Sequence, residues 1–164
     1  MICIDLEASG LARDSYPIEV AWKCSETGKF DSFLIDPSSV PGWTYWDEFA
    51  SELHCIRRSM LKQEGISVTA AAERLNTALS GCEVLSDAPE YDGFWLKRLF
   101  DAADDRPLFE LKGLETVLSS EERVQYQLIS RAQFRRHRAL PDVEHLLDAI
   151  QAAQSGATPF GAPG

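Results

Sequence analysis

Positive charge is scarce in this chain. Its 164 residues hold 16 lysines and arginines against 26 aspartates and glutamates, a formal net charge of −10. That balance excludes a protein that grips long nucleic acid by phosphate neutralisation alone. Long apolar runs are also missing, and none approaches the roughly 18 residues of a membrane-spanning helix. The N-terminus passes straight into a strand pattern without a basic, apolar leader, so a cytoplasmic protein with no membrane association is expected. Cys3, Cys24, Cys55 and Cys82 stand roughly 20 to 30 residues apart, with no Cys-x-x-Cys and no clustered histidine. A zinc site is therefore unsupported, and reduced, mostly buried thiols are expected. No internal repeat is present.

What remains fits one globular domain, with 45% hydrophobic residues in a chain long enough for a real core. The domain is expected over residues 1–153, followed by a flexible tail at 154–164 where Gly, Pro, Ser and Ala dominate. The first ten residues organise the rest. Strand alternation puts Ile2, Ile4 and Leu6 on one face and Cys3, Asp5 and Glu7 on the other. Two stacked carboxylates on a buried strand repel each other unless a cation bridges them. The alternative is that they merely end a surface strand, since a chain this acidic has about four acid-x-acid pairs by chance.

Residues 17–24 alternate like a half-buried strand, and Ser25-Glu-Thr-Gly28 closes a hairpin onto residues 29–36. An aromatic loop, Trp43-Thr-Tyr45-Trp46, follows, suited to packing on the sheet or to base stacking. Short helices are expected at 47–53 and 57–64, then a better one over 68–79 capped by Ser67. A strand at 83–87, a helix at 90–103, a strand at 108–111, a helix through 114–134 broken near Ser119-Ser120, and a helix from Pro141 to about Ala153 complete the pattern. The order predicts an α/β fold: a mixed sheet of about five strands, three antiparallel and then parallel additions, covered by helices. Active groups then belong at the carboxyl ends of the central strands.

Two further acids suit such a site. Asp92 precedes the apolar stripe Leu96, Leu99, Phe100 and Ala103, and Asp142 precedes Leu146, Ala149 and Ile150. Each is in a first helical turn, where a carboxylate can also serve simply as a cap. Together with Asp5 and Glu7 they form a set of hard oxygen donors of the kind magnesium and manganese prefer. His137 lies five residues before Asp142 and could take a proton from a metal-activated water, or be an ordinary polar residue among arginines. His145 could instead face the acid, and His54 reads as structural. Residues 131–138 hold four arginines and no acid, and Arg135, Arg136 and Arg138 could hold a phosphodiester beside the carboxylates.

On these residues the chain resembles the DEDDh exonucleases, the DnaQ-like and ribonuclease T-like group on the ribonuclease H-like fold. Asp5-Leu-Glu7-Ala-Ser-Gly10 resembles the first motif, Tyr91-Asp92-Gly-Phe-Trp-Leu96 the second, and His137-Arg-Ala-Leu-Pro-Asp142 the His-x4-Asp third. His54-Cys-Ile-Arg-Arg-Ser-Met60-Leu is similar to the family's His-Gly-Ile…Met-Leu element. The sequence departs from the pattern at Ala8 and Ser9, where threonines are common, at Cys55 in place of glycine, and at Asp87 in place of asparagine. Asp87 ends a strand and could itself reach a metal, although Asp92 is retained as the ligand.

The resemblance implies a metal-dependent 3′–5′ exonuclease acting on the 3′ ends of single-stranded DNA or RNA and releasing 5′ mononucleotides. Two divalent ions, Mg²⁺ or Mn²⁺, are implied: one held by Asp5, Glu7 and Asp142, the other by Asp5 and, through water, Asp92, with His137 as general base. Two rivals stand beside it, a catalytically idle nucleic-acid-binding or interaction module and a phosphodiesterase for very short oligonucleotides. The oligomeric state is left open, a homodimer among the alternatives.

Overall fold

A computed structural model of the protein describes residues 1–156. Five strands form one sheet: β1 (Ile2–Ala8), β2 (Pro17–Cys24), β3 (Phe30–Leu34), β4 (Glu83–Ser86) and β5 (Glu110–Gly113), in the order β3-β2-β1-β4-β5. β1 pairs antiparallel with β2 and β2 antiparallel with β3, whereas β1–β4 and β4–β5 are parallel. The helices are α1 (Glu48–His54), α2 (Arg58–Glu64), α3 (Val68–Leu79), α4 (Pro89–Ala102), α5 (Ser120–Ala132) and α6 (Ala139–Gln154). This is the mixed α/β architecture expected from the alternation of patterns.

The central strand explains the layering. Ile4, Leu6 and Ala8 bury into a core with Ala71, Leu75, Leu96 and Leu99 from α3 and α4. Cys3 faces the opposite way, into a second core built from Leu118, Ile129, Val143 and Leu146 of the α5 and α6 side. A strand covered on both faces is apolar on both except where function demands otherwise, and Asp5 and Glu7 are the exceptions.

Element ends differ from expectation for local reasons. β3 is shorter than 29–36, because beyond Leu34 the chain turns to a lone bridge between Ile35 and Ile66. β5 starts two residues later than predicted, because the Asn76 side chain takes the Leu108 N–H and the Arg106 carbonyl. The expected break in residues 114–134 is real: a short 3₁₀ turn at Leu114–Thr116 is followed by α5, which opens with a capping box between Ser119 and Glu122. α6 begins at Ala139, so Pro141 falls inside the first turn, where its missing N–H costs nothing. Of the cysteines, Cys3 and Cys24 are buried, Cys82 is half-buried and Cys55 is exposed; all four are free thiols. The tail expected from 154 falls mostly at 157–164, outside the described residues. Among the described residues no helix is long and apolar enough to cross a membrane.

Candidate active site

The acids meet at the carboxyl end of β1. The β1–β2 register shifts between Glu7 and Ala8, a bulge that ends regular pairing where the acidic residues stand. Asp92, in the first turn of α4, is 2% exposed and reaches back to this edge. Its Oδ2 accepts a 2.5 Å hydrogen bond from Ser86 Oγ at the end of β4. Asp142 enters from the first turn of α6 and is 6% exposed. One donor atom each from Glu7, His137 and Asp142 lie within 4.8 Å of one another. His137 reaches them from a left-handed backbone with φ of 50°. His145 Nδ1 is 3.9 Å from Asp142 Oδ1, too far for a hydrogen bond; His137 is the histidine grouped with both Glu7 and Asp142.

The electrostatics are those of crowded, water-poor carboxylates. Burial raises the Asp5 pKa well above the usual carboxylate range, and repulsion from Asp92, Glu7 and Asp142 adds to it. Burial, then Asp142 and Glu19, push Glu7 to about 8. Asp92 is raised to about 7 by burial, against the opposing Ser86 hydrogen bond. Asp142 is raised by burial, with Arg135 and His137 partly offsetting it. Asp5 Oδ2 and Asp142 Oδ1 are buried with no hydrogen-bond partner among the described residues. Buried, unpaired carboxylate oxygens are rare unless something else satisfies them. A set of carboxylates with one imidazole fits a divalent cation that prefers oxygen donors.

Around this cluster two arginines are locked by acids that are remote in sequence. Glu19 lies opposite Glu7 on β2 and is 3% exposed. It takes bonds of 2.6, 3.0 and 3.1 Å from the Arg138 guanidinium and one of 3.0 Å from the Ala139 N–H. α6 has no side-chain cap of its own at Arg138, so Glu19 caps it from the sheet and fixes the segment that carries His137 and Asp142. Asp87 Oδ2 accepts from Tyr126 Oη at 3.0 Å and from Arg135. Asp87 is thus paired with an arginine and a tyrosine, although its charge still acts on Asp5 and Asp92, and Arg135 and Arg138 each hold a carboxylate. Arg136 is exposed on the same loop and forms no ion pair among the described residues. Glu19 and Ser86 are the partners that sequence reasoning missed; the cross-strand placement of Glu19 opposite Glu7 was the available signal.

The unusual motif residues are accommodated locally. Ser9 Oγ accepts the Tyr16 N–H at 3.2 Å, and Ser9 O accepts the Asp47 N–H at 2.8 Å, tying the turn after β1 to the start of α1. Gly10 has φ of 154°, and a Cβ there would stand 2.7 Å from Tyr45 Cε1 and 2.8 Å from Asp47 Cβ, so no side chain fits. Cys55 adopts φ of 56° at the end of α1, a conformation that explains why glycine is usual there. His54 is structural as expected: it is 2% exposed and its Nδ1 accepts the Ile56 N–H at 3.0 Å. Trp43 packs, stacked on Tyr16 at 5.1 Å. Beside the acids lies a cleft of about 250 Å³ whose lining includes Glu7, His137 and Trp95 together with the exposed Leu11, Phe49 and Leu53.

No protein-family profile matches the sequence, and neither does the sequence of any curated protein. Solved structures do match the fold. The zinc-bound form of the E. coli exonuclease I–single-stranded DNA complex superposes with a TM-score of 0.71 at 14% identity, over 94% of this chain and 40% of that one. E. coli exonuclease I with a dA16 oligonucleotide gives 0.70 at 15% identity, over 93% and 40% of the two chains. An apo exonuclease I gives 0.69 at 16%, over 96% and 42%. This chain spans about two fifths of the length of the exonuclease chains it resembles. The likeness establishes the architecture: the five-stranded mixed sheet is that of the ribonuclease H-like exonuclease fold.

Proposed function

We propose that residues 1–153 act as one exonuclease domain, a divalent-metal-dependent 3′–5′ exonuclease that releases 5′ mononucleotides from single-stranded DNA or RNA. The observation that carries this reading is the cluster of Glu7, His137 and Asp142 on an exonuclease fold, with Asp5 and Asp92 near enough to repel one another and carboxylate oxygens of Asp5 and Asp142 buried and unpartnered. Asp5, Glu7, Asp92 and Asp142 would hold two Mg²⁺ or Mn²⁺ ions, which when bound would supply charge stabilisation for the phosphate and activation of water. His137 takes the proton from the attacking water, a role supported by its ring nitrogen lying within 4.8 Å of the Glu7 and Asp142 oxygens. Ser86 holds Asp92 in place, and Glu19 holds the His137 segment. The cleft beside them has the size for one nucleoside, and Leu11, Phe49 and Leu53 give it an apolar wall that keeps water from the terminal base.

Incubation of 5′-labelled DNA and RNA oligomers with the protein and Mn²⁺ tests the reading. A ladder shortening from the 3′ end, absent with Asp5→Asn, is the expected result; intact oligomers with the wild-type protein overturn it. A second reading, a phosphodiesterase for very short oligonucleotides, draws on the ion pairs that engage Arg135 and Arg138. A length series decides between them, since only the second reading predicts that turnover falls steeply beyond a few nucleotides.

A further inference from the structure

We infer that the face of α2 around Arg58 and Lys62 is a second anion site, which takes a backbone phosphate of the strand at a distance from the nucleotide being cleaved. The inference rests on the nuclease reading above. A cleft of about 370 Å³ lies here, lined among others by Tyr16, Asp36, Trp43, Thr44, Arg58 and Lys62. It is larger than the cleft beside the acids, and the 43–47 loop divides the two: Trp43 and Thr44 line this one, Asp47 the other.

The charges are arranged for a ligand. Arg58 and Lys62 are one helical turn apart and line the same cleft, where like charges repel. Neither forms an ion pair among the described residues. The one acid in the wall, Asp36, accepts the Ser38 N–H at 2.9 Å and Ser38 Oγ at 2.5 Å on Oδ1, so two cations face one carboxylate and the wall keeps a net positive charge. Arg58 is also held in place. Its Nη2 donates to the Thr44 carbonyl at 2.7 Å, and its guanidinium lies 5.2 Å from the centre of the Trp46 ring. One edge of the fork is thereby fixed, and the remaining N–H groups are free for a phosphate, with Lys62 as a point charge beside them. The stacked rings of Tyr16 and Trp43, nearly parallel at 7°, form a rigid apolar side to the cleft.

The position also solves a problem that the active site creates. Its carboxylates repel a polyanion, and Arg135 and Arg138 are already committed to Asp87 and Glu19. A pair of unpartnered cations across the 43–47 loop offsets that repulsion without neutralising the acids. The ligand chemistry is a phosphate mono- or diester, so a strand and free phosphate must be told apart.

The test measures binding without added metal, using fluorescein-labelled dT12 and dT3, the latter chosen to occupy the catalytic cleft alone. Arg58→Gln/Lys62→Gln is compared with Lys62→Gln, which leaves the contacts of Arg58 to Thr44 and Trp46 in place and so guards against a folding artefact. The double variant is expected to bind dT12 about tenfold more weakly, with the slope of log K against log salt reduced by about 1 to 2. Lys62→Gln should lose about threefold, and the dT12-over-dT3 preference should shrink in both. Unchanged dT12 affinity and salt slope in both variants overturns the inference, as does an equal loss for dT3. If inorganic phosphate raises the melting temperature of the wild type and not of the double variant, while dT12 binding is the same in all three proteins, the site takes free phosphate and the strand assignment falls. Hydrolysis of dT12 with Mn²⁺ is scored separately: a wild-type protein that binds dT12 through α2 yet never shortens it overturns the nuclease reading and leaves the anion site standing.

Discussion

Glu19 and Asp5 stand on neighbouring strands and face the same side of the sheet, Glu19 buried and Asp5 half-buried with Oδ2 sealed from water, in opposite surroundings. Glu19 receives three bonds from Arg138 and one from the Ala139 N–H. Asp5 Oδ2 has no partner among the described residues, and Asp92, Glu7 and Asp142 all repel its charge. Asp87, held by Tyr126 and Arg135, belongs with Glu19; Glu7 and Asp142 belong with Asp5. A paired buried carboxylate keeps its charge because its partners replace water, whereas an unpaired one is under pressure to take up a proton or a cation. The contrast separates two kinds of acid: the paired ones hold the frame, and the unpaired ones are those assigned above to the proposed metal site.

The most severe way to break the contrast is to remove a member of the unpaired set. Asp5→Asn should reduce hydrolysis to background and abolish the rise in melting temperature that divalent cation gives the wild type, while raising the melting temperature of the metal-free protein because a buried repulsion is gone. A variant that keeps the metal-induced shift overturns the assignment of Asp5. His137→Ala comes next. Loss of a general base should slow turnover by roughly 10² to 10⁴ while the metal-induced shift persists, and His145→Ala should turn over nearly as the wild type. The reverse pattern would move the role to His145.

The paired set should respond in stability. Glu19→Ala strands the Arg138 guanidinium and the Ala139 N–H, which should cost about 2 kcal/mol, below the roughly 3–5 of a fully buried pair because Arg138 still reaches water. Arg136→Gln on the same loop should stay within about 0.5 kcal/mol. Chemical denaturation measures both, and equal values for the two variants would erase the distinction between frame and free arginine.

The unpaired set was legible in the sequence and the paired set was not. Asp5 and Glu7 reveal themselves by strand alternation, and Asp92 and Asp142 by their place one turn before an apolar stripe, because these signals are local. Glu19 also alternates along its strand, but its partner is 119 residues away, and nothing in the arginine-rich stretch says which acids it meets. The same holds for Asp87 and Arg135, 48 residues apart. The cleft at α2 was equally invisible, since Arg58 and Lys62 on a short helix acquire meaning only when Trp43 and Thr44 fold against them. The mixed sheet, three antiparallel strands and then parallel additions, followed from the order of hydrophobic patterns, while the starts of β5 and α6 depended on a tertiary contact from Asn76 and on the Glu19 cap.

The mildest test uses pH on the metal-free protein. Glu7 titrates near 8 and Asp92 near 7 in the folded state, mainly through burial, against about 4.3 and 3.9 in an unfolded chain. Between those limits the folded state binds more protons than the unfolded one, so the slope of unfolding free energy with pH is negative. Stability should be full below about pH 4, fall as pH rises through 7 and 8, and level off above. In metal-free buffer the melting temperature should therefore drop by about several degrees between pH 5.5 and 8.5. Saturating Mg²⁺ or Mn²⁺ should flatten the profile or reverse it, because the cation binds the ionised form and releases the same protons. Glu7→Gln should flatten the metal-free profile at its alkaline end and leave the part near pH 7 to Asp92. A metal-free protein whose melting temperature rises steadily from pH 5.5 to 8.5 would mean that these carboxylates are satisfied within the fold, and the division between paired and unpaired acids would collapse.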